Sequence, residues 1–313
     1  MEFEKPDWAA HMEGSPFNRS HFTPELQQRI TQTVNSKKPP LPRKVWAVSM
    51  AAVSLILIIA ALSLPGGRIP FLPSGARQAA DTEVRQQYTE NGRQLLAVFP
   101  DPNLEAGKTT GYLFHFTASF EEFRGRQLSI EAEHLDTGLK VTVQKPLKIT
   151  EPSSGYPGLE RFVAFAGLPI SGKWRYVVQL DGEDYANVVL QVREASWEQT
   201  PEFRSGVYLM RGIEKEVGFI DAGFIAGKVN KYMWHFWGSE EELEGKFQVK
   251  AIKQGDTRII NVFEASNLGG KNNGADAHIP SSMSLPEPGR WRLLPYLDDR
   301  LLPSIVVEVK QTP

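Results

Sequence analysis

The sequence predicts two tandem antiparallel β-sandwiches outside a membrane, preceded by a single transmembrane α-helix and a short helix in the cytoplasmic tail. Three observations predict this. LPISGKWR at 168–175 returns as LPEPGRWR at 285–292, and each copy runs on through Leu-Asp into an apolar alternating tail, so two homologous modules follow one another. Within each module, runs of period-two alternation are separated by turn residues at the spacing of an all-β sandwich. Ahead of both lies VWAVSMAAVSLILIIAALSL at 45–64, an uncharged run whose helix would be about 30 Å long, the thickness of a bilayer's hydrocarbon core.

The tail, residues 1–44, contains one element. Thr23-Pro24-Glu25 supplies an N-cap, a proline at the first helical position and an acid in the first turn. Leu26, Ile30 and Val34 then share one face, which predicts an amphipathic helix over about 24–35. Asn35 and Ser36 stop it, and Pro39, Pro40 and Pro42 make the next segment an extended spacer. At about three turns this helix needs a partner or a lipid surface to persist. The run at 45–64 exceeds the hydrophobic region of a cleaved signal and follows a longer N-terminal region than signals have, so it reads as an anchor. Lys37, Lys38, Arg43 and Lys44 precede it, whereas only Arg68 and Arg77 lie close after it, which places the N-terminus in the cytoplasm. Glycine and proline from Pro65 to Gly75 break both helix and strand, giving a stalk over 65–82.

Module one, 83–195, is expected to hold strands at 94–99, 112–117, 127–134, 139–145, 160–166, 173–180 and 187–193. Hairpin chemistry stands at Leu135-Asp136-Thr137-Gly138 and Asp181-Gly182. Module two, 196–313, repeats the series at 217–221, 230–237, 246–253, 257–264, 277–284, 290–297 and 304–310. Ala106-Gly107-Lys108 with Tyr112, His115 and Phe116 aligns on Ala226-Gly227-Lys228 with Tyr232, His235 and Phe236. The Pro-Gly turn leading into a Gly-x-Trp-Arg strand and a closing hairpin resembles bacterial Ig-like surface modules. The KYMWHFWG run at 231–238 resembles an uncharacterised family of membrane-anchored proteins from spore-forming Gram-positive bacteria, a domain of unknown function. The resemblance covers most of the chain and implies Ig-like extracytoplasmic modules with no known activity. The chain has no cysteine, so it departs from antibody-type domains, and immune-type recognition is not carried over.

Composition bounds the function. With 41% hydrophobic and 23% charged residues and a net charge of −2, the chain has no basic field for nucleic acid. Without cysteine there is neither thiol catalysis nor a lipid-modified cysteine anchor. His115 and His235 occupy equivalent positions, but no acidic or histidine partners recur at ligand spacing, so both read as sheet residues capping carbonyls. Glu121-Glu122 and Glu240-Glu241-Glu242 lack calcium-loop or glycosidase context and read as solvated turns. Trp174 and Trp291 share an alternating face with core residues and read as core. NLGGKNNGAD at 267–276 has no equally glycine-rich counterpart in module one, and divergent loops on a repeated scaffold are where specialised binding is found. Asn267, Lys271, Asn272, Asn273 and Asp276 are therefore the candidate ligand-binding or hinge residues. If the modules stack end to end, this loop faces module one across a cleft, together with 238–245 and 298–303.

No phosphate-binding loop, dinucleotide fingerprint, His-Glu-x-x-His or nucleophile elbow occurs, and no cofactor or metal is expected. The expected function is therefore non-enzymatic: display of two modules that bind an extracytoplasmic ligand or envelope protein, sense, or build the envelope. The alternative is a transmembrane regulator of the anti-sigma type, signalling through a cytoplasmic partner held by Leu26, Ile30 and Val34. An envelope enzyme is a minor alternative.

Overall fold

A computed structural model describes residues 82–311. The tail helix with Leu26, Ile30 and Val34, the 45–64 span and nearly all of the stalk lie outside the described residues. Among those described, no helix is long and apolar enough to cross a membrane.

The described chain is all-β and almost entirely antiparallel. In the first module β1 (Gln87–Glu90), β2 (Arg93–Pro100), β3 (Thr109–Phe116) and β6 (Phe162–Gly167) form one sheet in the order β1-β2-β3-β6. The other has the order β5-β4-β7-β8 and contains β4 (Gln127–His134), β5 (Lys140–Lys148), β7 (Gly172–Leu180) and β8 (Glu183–Val192). Alternation builds the interface: on β3, Tyr112, Phe114 and Phe116 are buried, while Leu113 and His115 point outward. Leu128, Ile130, Trp174, Tyr176 and Val178 meet them from the facing sheet in one core.

The second module repeats this frame and adds to it. The sheet β16-β13-β11-β10-β9 contains β9 (Glu202–Ser205), β10 (Tyr208–Ile213), β11 (Val217–Ile220), β13 (Asn230–Phe236) and β16 (Ala277–Met283). Opposite it, β12 (Phe224–Ile225), β19 (Ile305–Lys310), β17 (Gly289–Leu297), β14 (Phe247–Lys253) and β15 (Ile260–Ala265) lie in the order β12-β19-β17-β14-β15, with β18 (Arg300–Leu301) paired to β17. The short parallel pair of β12 with β19 has its counterpart in the parallel bridge of Glu105 with Arg193.

All fourteen strands expected from alternation are present within a few residues of the expected bounds. Asp181 and Gly182, at φ 55° and 85°, make the expected β7–β8 hairpin turn. The expectation missed β1, β9, β10, β12 and β18. The first was legible, since Asn91-Gly92 is a strong hairpin dipeptide and adopts φ 50° and 78° between β1 and β2.

The repeated signature has a geometric cause. Trp174 Nε1 donates to the Ile170 carbonyl at 3.1 Å, and Trp291 Nε1 donates to the Glu287 carbonyl at 2.9 Å, each four residues back. Each tryptophan thereby closes the turn that feeds its own strand. Gly172 and Gly289 enter those strands at φ 128° and 110°, which a side chain would oppose. At Gly172 an added Cβ would also strike the His134 ring. Both indoles are buried in the core of their module.

The arginine of the signature diverges. Arg175 donates to Glu133 at 2.7 Å across its own sheet. Arg292, only 2% exposed, instead holds the linker: it donates to Glu194 Oε1 at 3.0 Å and to the Ala195 and Ser196 carbonyls at 2.9 and 3.2 Å, and its guanidinium lies 4.1 Å from the Trp197 ring centre. Arg290 adds a bond to the Trp197 carbonyl at 2.8 Å, and Thr200 pairs with Val306 through backbone and hydroxyl. The linker is thus laid along β17 and β19.

Contact between the modules departs from end-to-end stacking. Ile252 and Leu294, on the outward face of the β14–β17 pair, are buried in the core cluster of module one, joined by Leu301. Tyr296 and Ile259 pack at its margin. A sheet face, as well as a loop end, therefore receives module one, because these outward apolar side chains need cover. Ser304 N donates to the Gly107 carbonyl at 2.9 Å, Thr109 Oγ1 donates to the Leu301 carbonyl at 2.6 Å, and Lys145 pairs with Asp299 at 3.0 Å.

Trp174→Ala and Trp291→Ala should each remove about 3–5 kcal/mol of stability, measured by denaturant melting, as expected for a buried large aromatic. Arg292→Met should cost about 2–3 kcal/mol by releasing the linker carbonyls and Glu194. Calorimetry of that variant should resolve two transitions where the parent, with its shared core, shows one for the two modules.

Candidate functional site

The glycine-rich segment 267–276 is ordered by its own chemistry. Asn272-Asn273-Gly274-Ala275 closes a two-residue turn, with Asn273 and Gly274 at φ 51° and 82° and backbone bonds between Asn272 and Ala275. That turn folds back onto the outer face of the sheet carrying β13. Three side chains clamp it there. Ser205 Oγ donates to the Asn273 carbonyl at 3.0 Å, Trp237 Nε1 donates to the Gly274 carbonyl at 2.9 Å, and the Asn273 amide donates to His235 Nε2 at 3.0 Å.

His235 is fully buried, and its ring is read as a neutral tautomer. Nδ1 donates to the Met233 carbonyl at 3.1 Å, which leaves Nε2 as the acceptor for Asn273. Burial is the main force pushing this imidazole below its ordinary range, and nearby His278 pushes the same way, against the Met233 bond. Beside it, Phe203 stacks edge-on against Trp237 and sits over Gly218, where an added Cβ would strike the phenyl ring. The β9–β10 hairpin and the glycine-rich turn together cover this face of module two. On the equivalent face of module one, Phe99, Val163 and Phe165 stand exposed.

The first half of the segment forms one wall of a cleft of about 630 Å³ against 238–245. Leu243, Leu268 and Ala277 line it with apolar surface; Glu240, Glu244, Lys271 and Asp276 supply its charge. Asp276 Oδ2 accepts from Gly238 N at 3.2 Å and ties the two walls together. Lys271 reaches Asp276 at 3.8 Å in solvent, a pair of little energetic weight. The volume suits a small ligand or a peptide side chain.

The five residues expected in the loop therefore divide. Asn267, Lys271 and Asp276 line the cleft, whereas Asn272 and Asn273 belong to the clamped turn. The cleft lies within module two, and the grooves against module one are lined by other segments. One of these, about 530 Å³, includes Lys108, Thr109, Trp237, Glu242, Arg300 and Leu302. Of the three loops expected to face module one, 238–245 and 298–303 reach the inter-module grooves, while 267–276 is held over its own sheet by the clamp.

The remaining sequence candidates serve the scaffold. His115 Nδ1 lies 3.0 Å from the Glu160 carbonyl, as a histidine at a sheet face would. Glu121 and Glu122 sit in the 3-10 turn Phe120–Glu122, with Arg124 at 2.9 Å from Glu121. Glu242 accepts from Ser239 N and Oγ at 2.9 and 3.0 Å, which holds its carboxyl below the usual range. Among the described residues, no three histidines or carboxylates are grouped to hold a metal ion. Sequence reasoning missed Ser205 and Phe203, which lie on β9 outside the repeated frame, and Trp237, whose partner Gly274 is set by the fold of the loop.

Residues 185–307 match the model of a domain of unknown function, DUF4871. A solved Bacillus anthracis structure, provisionally described as a lipoprotein, is 27% identical over 37% of this chain and 88% of its own, with a TM-score of 0.32. No curated protein matches the chain.

The His235 geometry predicts a pH dependence of stability. Unfolded histidine titrates near 6.5 and the folded ring lower, so the contribution is full above that range, declines as pH falls through 6.5, and levels off below the folded value. The decline should not exceed about 1.4 kcal/mol per pH unit, the slope for one proton. Denaturant melts from neutral to mildly acidic pH should show a shallower slope for His235→Gln than for the parent.

Proposed function

We propose that this chain is a binding protein of the cell envelope: a single-pass anchor with its N-terminus in the cytoplasm, displaying two fused Ig-like sandwiches outside. The Ig-like reading draws support from strand order. β2-β3-β6 faces β5-β4-β7-β8, and β11-β13-β16 faces β15-β14-β17-β19, so in both modules the fifth strand of the frame pairs with the second and the fourth with the third. The anchor reading draws on the uncharged length of 45–64 and its basic leading flank.

One observation carries the binding role. The glycine-rich segment is divided into a clamped turn and a wall bridged through Gly269 to His278 at 2.7 and 3.1 Å, so the cleft is formed before any ligand arrives. Preformed sites avoid the cost of ordering a loop on binding. Its apolar floor with three carboxylates and one lysine at the rim favours a ligand with an apolar body and a positively charged or hydrogen-bond-donating end. The ligand is recognised rather than transformed in this reading, since Glu242, His115 and His235 are committed to main-chain or side-chain partners of the fold.

Replacing 267–276 by a short Gly-Ser turn should abolish binding of envelope fragments to the full chain in lipid nanodiscs while both modules stay folded. Lys271→Gln with Asp276→Asn should weaken the same binding without changing the melting point. Capture that survives both changes would place the ligand elsewhere, and turnover of any captured fragment would overturn the non-enzymatic reading.

A further inference from the structure

One end of module two carries the tip of the β9–β10 hairpin, whose apolar side chains the fold leaves uncovered. Strands β9 and β10 turn through Gly206 and Val207, and Val207, Tyr208 and Leu209 are consecutive exposed residues at 84%, 40% and 45%. Consecutive exposure means that both faces of the hairpin tip are bare. Val229, 70% exposed, belongs to the same end: Met210 pairs with Ile220 and Ile220 with Met233, so Tyr208 and Lys231 each stand two residues further along the same sheet direction. With two strand spacings between them, they are about 10 Å apart across the sheet.

Charge at this end is one-sided. Asp221 and Glu202 share Arg211, Asp256 faces Arg258, Glu287 pairs with Lys253, and Glu308 with Arg290. Arg204, Lys228, Lys231 and Lys310 have no carboxylate partner among the described residues, against Glu198 in the adjoining linker and the second carboxylate on Arg211, so cations remain in excess. The register sets them along one end of the module: Arg204 pairs with Leu209 on the edge hairpin, Lys228 precedes β13, and the Lys310 carbonyl accepts from Ala226 N. Apolar side chains at a protruding tip, a tyrosine at its base and a surrounding group of unmatched cations are the chemistry of a surface that enters the headgroup region of an anionic bilayer.

We propose that the β9–β10 tip of module two, with Val207, Tyr208 and Leu209 at its centre and Arg204, Lys228, Lys231 and Lys310 around it, docks on an anionic lipid membrane. This contact is independent of the 45–64 segment and of the cleft. The lysines draw the tip to the charged surface, and the hairpin buries its three apolar side chains among the headgroups.

The absence of cysteine allows a clean test, because Val207→Cys carries a single environment-sensitive fluorophore. The full chain is placed in phosphatidylcholine nanodiscs, which satisfy its apolar segment. It is then mixed with phosphatidylcholine vesicles with or without phosphatidylglycerol. Co-flotation with the anionic vesicles alone, together with a blue shift of the label, is the expected result. Lys228→Gln with Lys231→Gln should weaken this binding roughly 30-fold, the loss expected of two surface cations. Val207→Asp with Leu209→Asp should abolish the binding while leaving the melting point unchanged, and added salt should release the parent. The proposal is overturned by absence of binding to anionic vesicles, by equal binding to neutral ones, or by flotation that leaves the label at 207 unshifted.

Discussion

The structure depends on one strand being buried on both faces. In β7 the signature runs on as Trp-Arg-Tyr-Val-Val-Gln-Leu, with alternate residues facing solvent. In β17 it runs on as Trp-Arg-Leu-Leu-Pro-Tyr-Leu, and five consecutive residues from Trp291 are buried. Trp291 and Leu293 fill module two; Leu294 fills module one. A strand of this kind cannot remain at a solvent surface, so module one must lie against it, and the linker must be short and fixed enough to hold it there. Arg292 meets that requirement, its guanidinium spanning the carbonyls that an extended linker presents.

The two modules show how one frame is specialised without altering its core. The glycine, tryptophan and turn carbonyl of the signature do the same work twice, closing a loop onto the strand it feeds. Arginine at the next position stabilises a sheet face in one copy and a module boundary in the other. His115 and His235 diverge in the same manner. The first meets a nearby main-chain carbonyl, whereas the second is sealed beneath a turn and exchanges hydrogen bonds with Met233 and Asn273. Specialisation in module two therefore lies on the outer face of its first sheet, where two added strands and one long loop converge.

The sequence by itself determined the strand content, the repeat, and the core positions of Trp174 and Trp291, because period-two burial and turn chemistry are local. It also singled out 267–276, since a glycine-rich segment without a counterpart in the other copy is visible by alignment of the chain with itself. Clamping of that loop by Ser205 and Trp237 was decided only by tertiary structure. So was the division of its five candidate residues between wall and turn. These contacts join strands β9, β13 and the loop across about 70 residues of chain, and no periodicity encodes which outer face a loop will lie on. The packing of module one on a sheet face was partly legible, as the unbroken apolar run in β17 signals cover on both sides. The identity of that cover was not, because burial of an apolar face is non-directional and any surface of matching shape satisfies it.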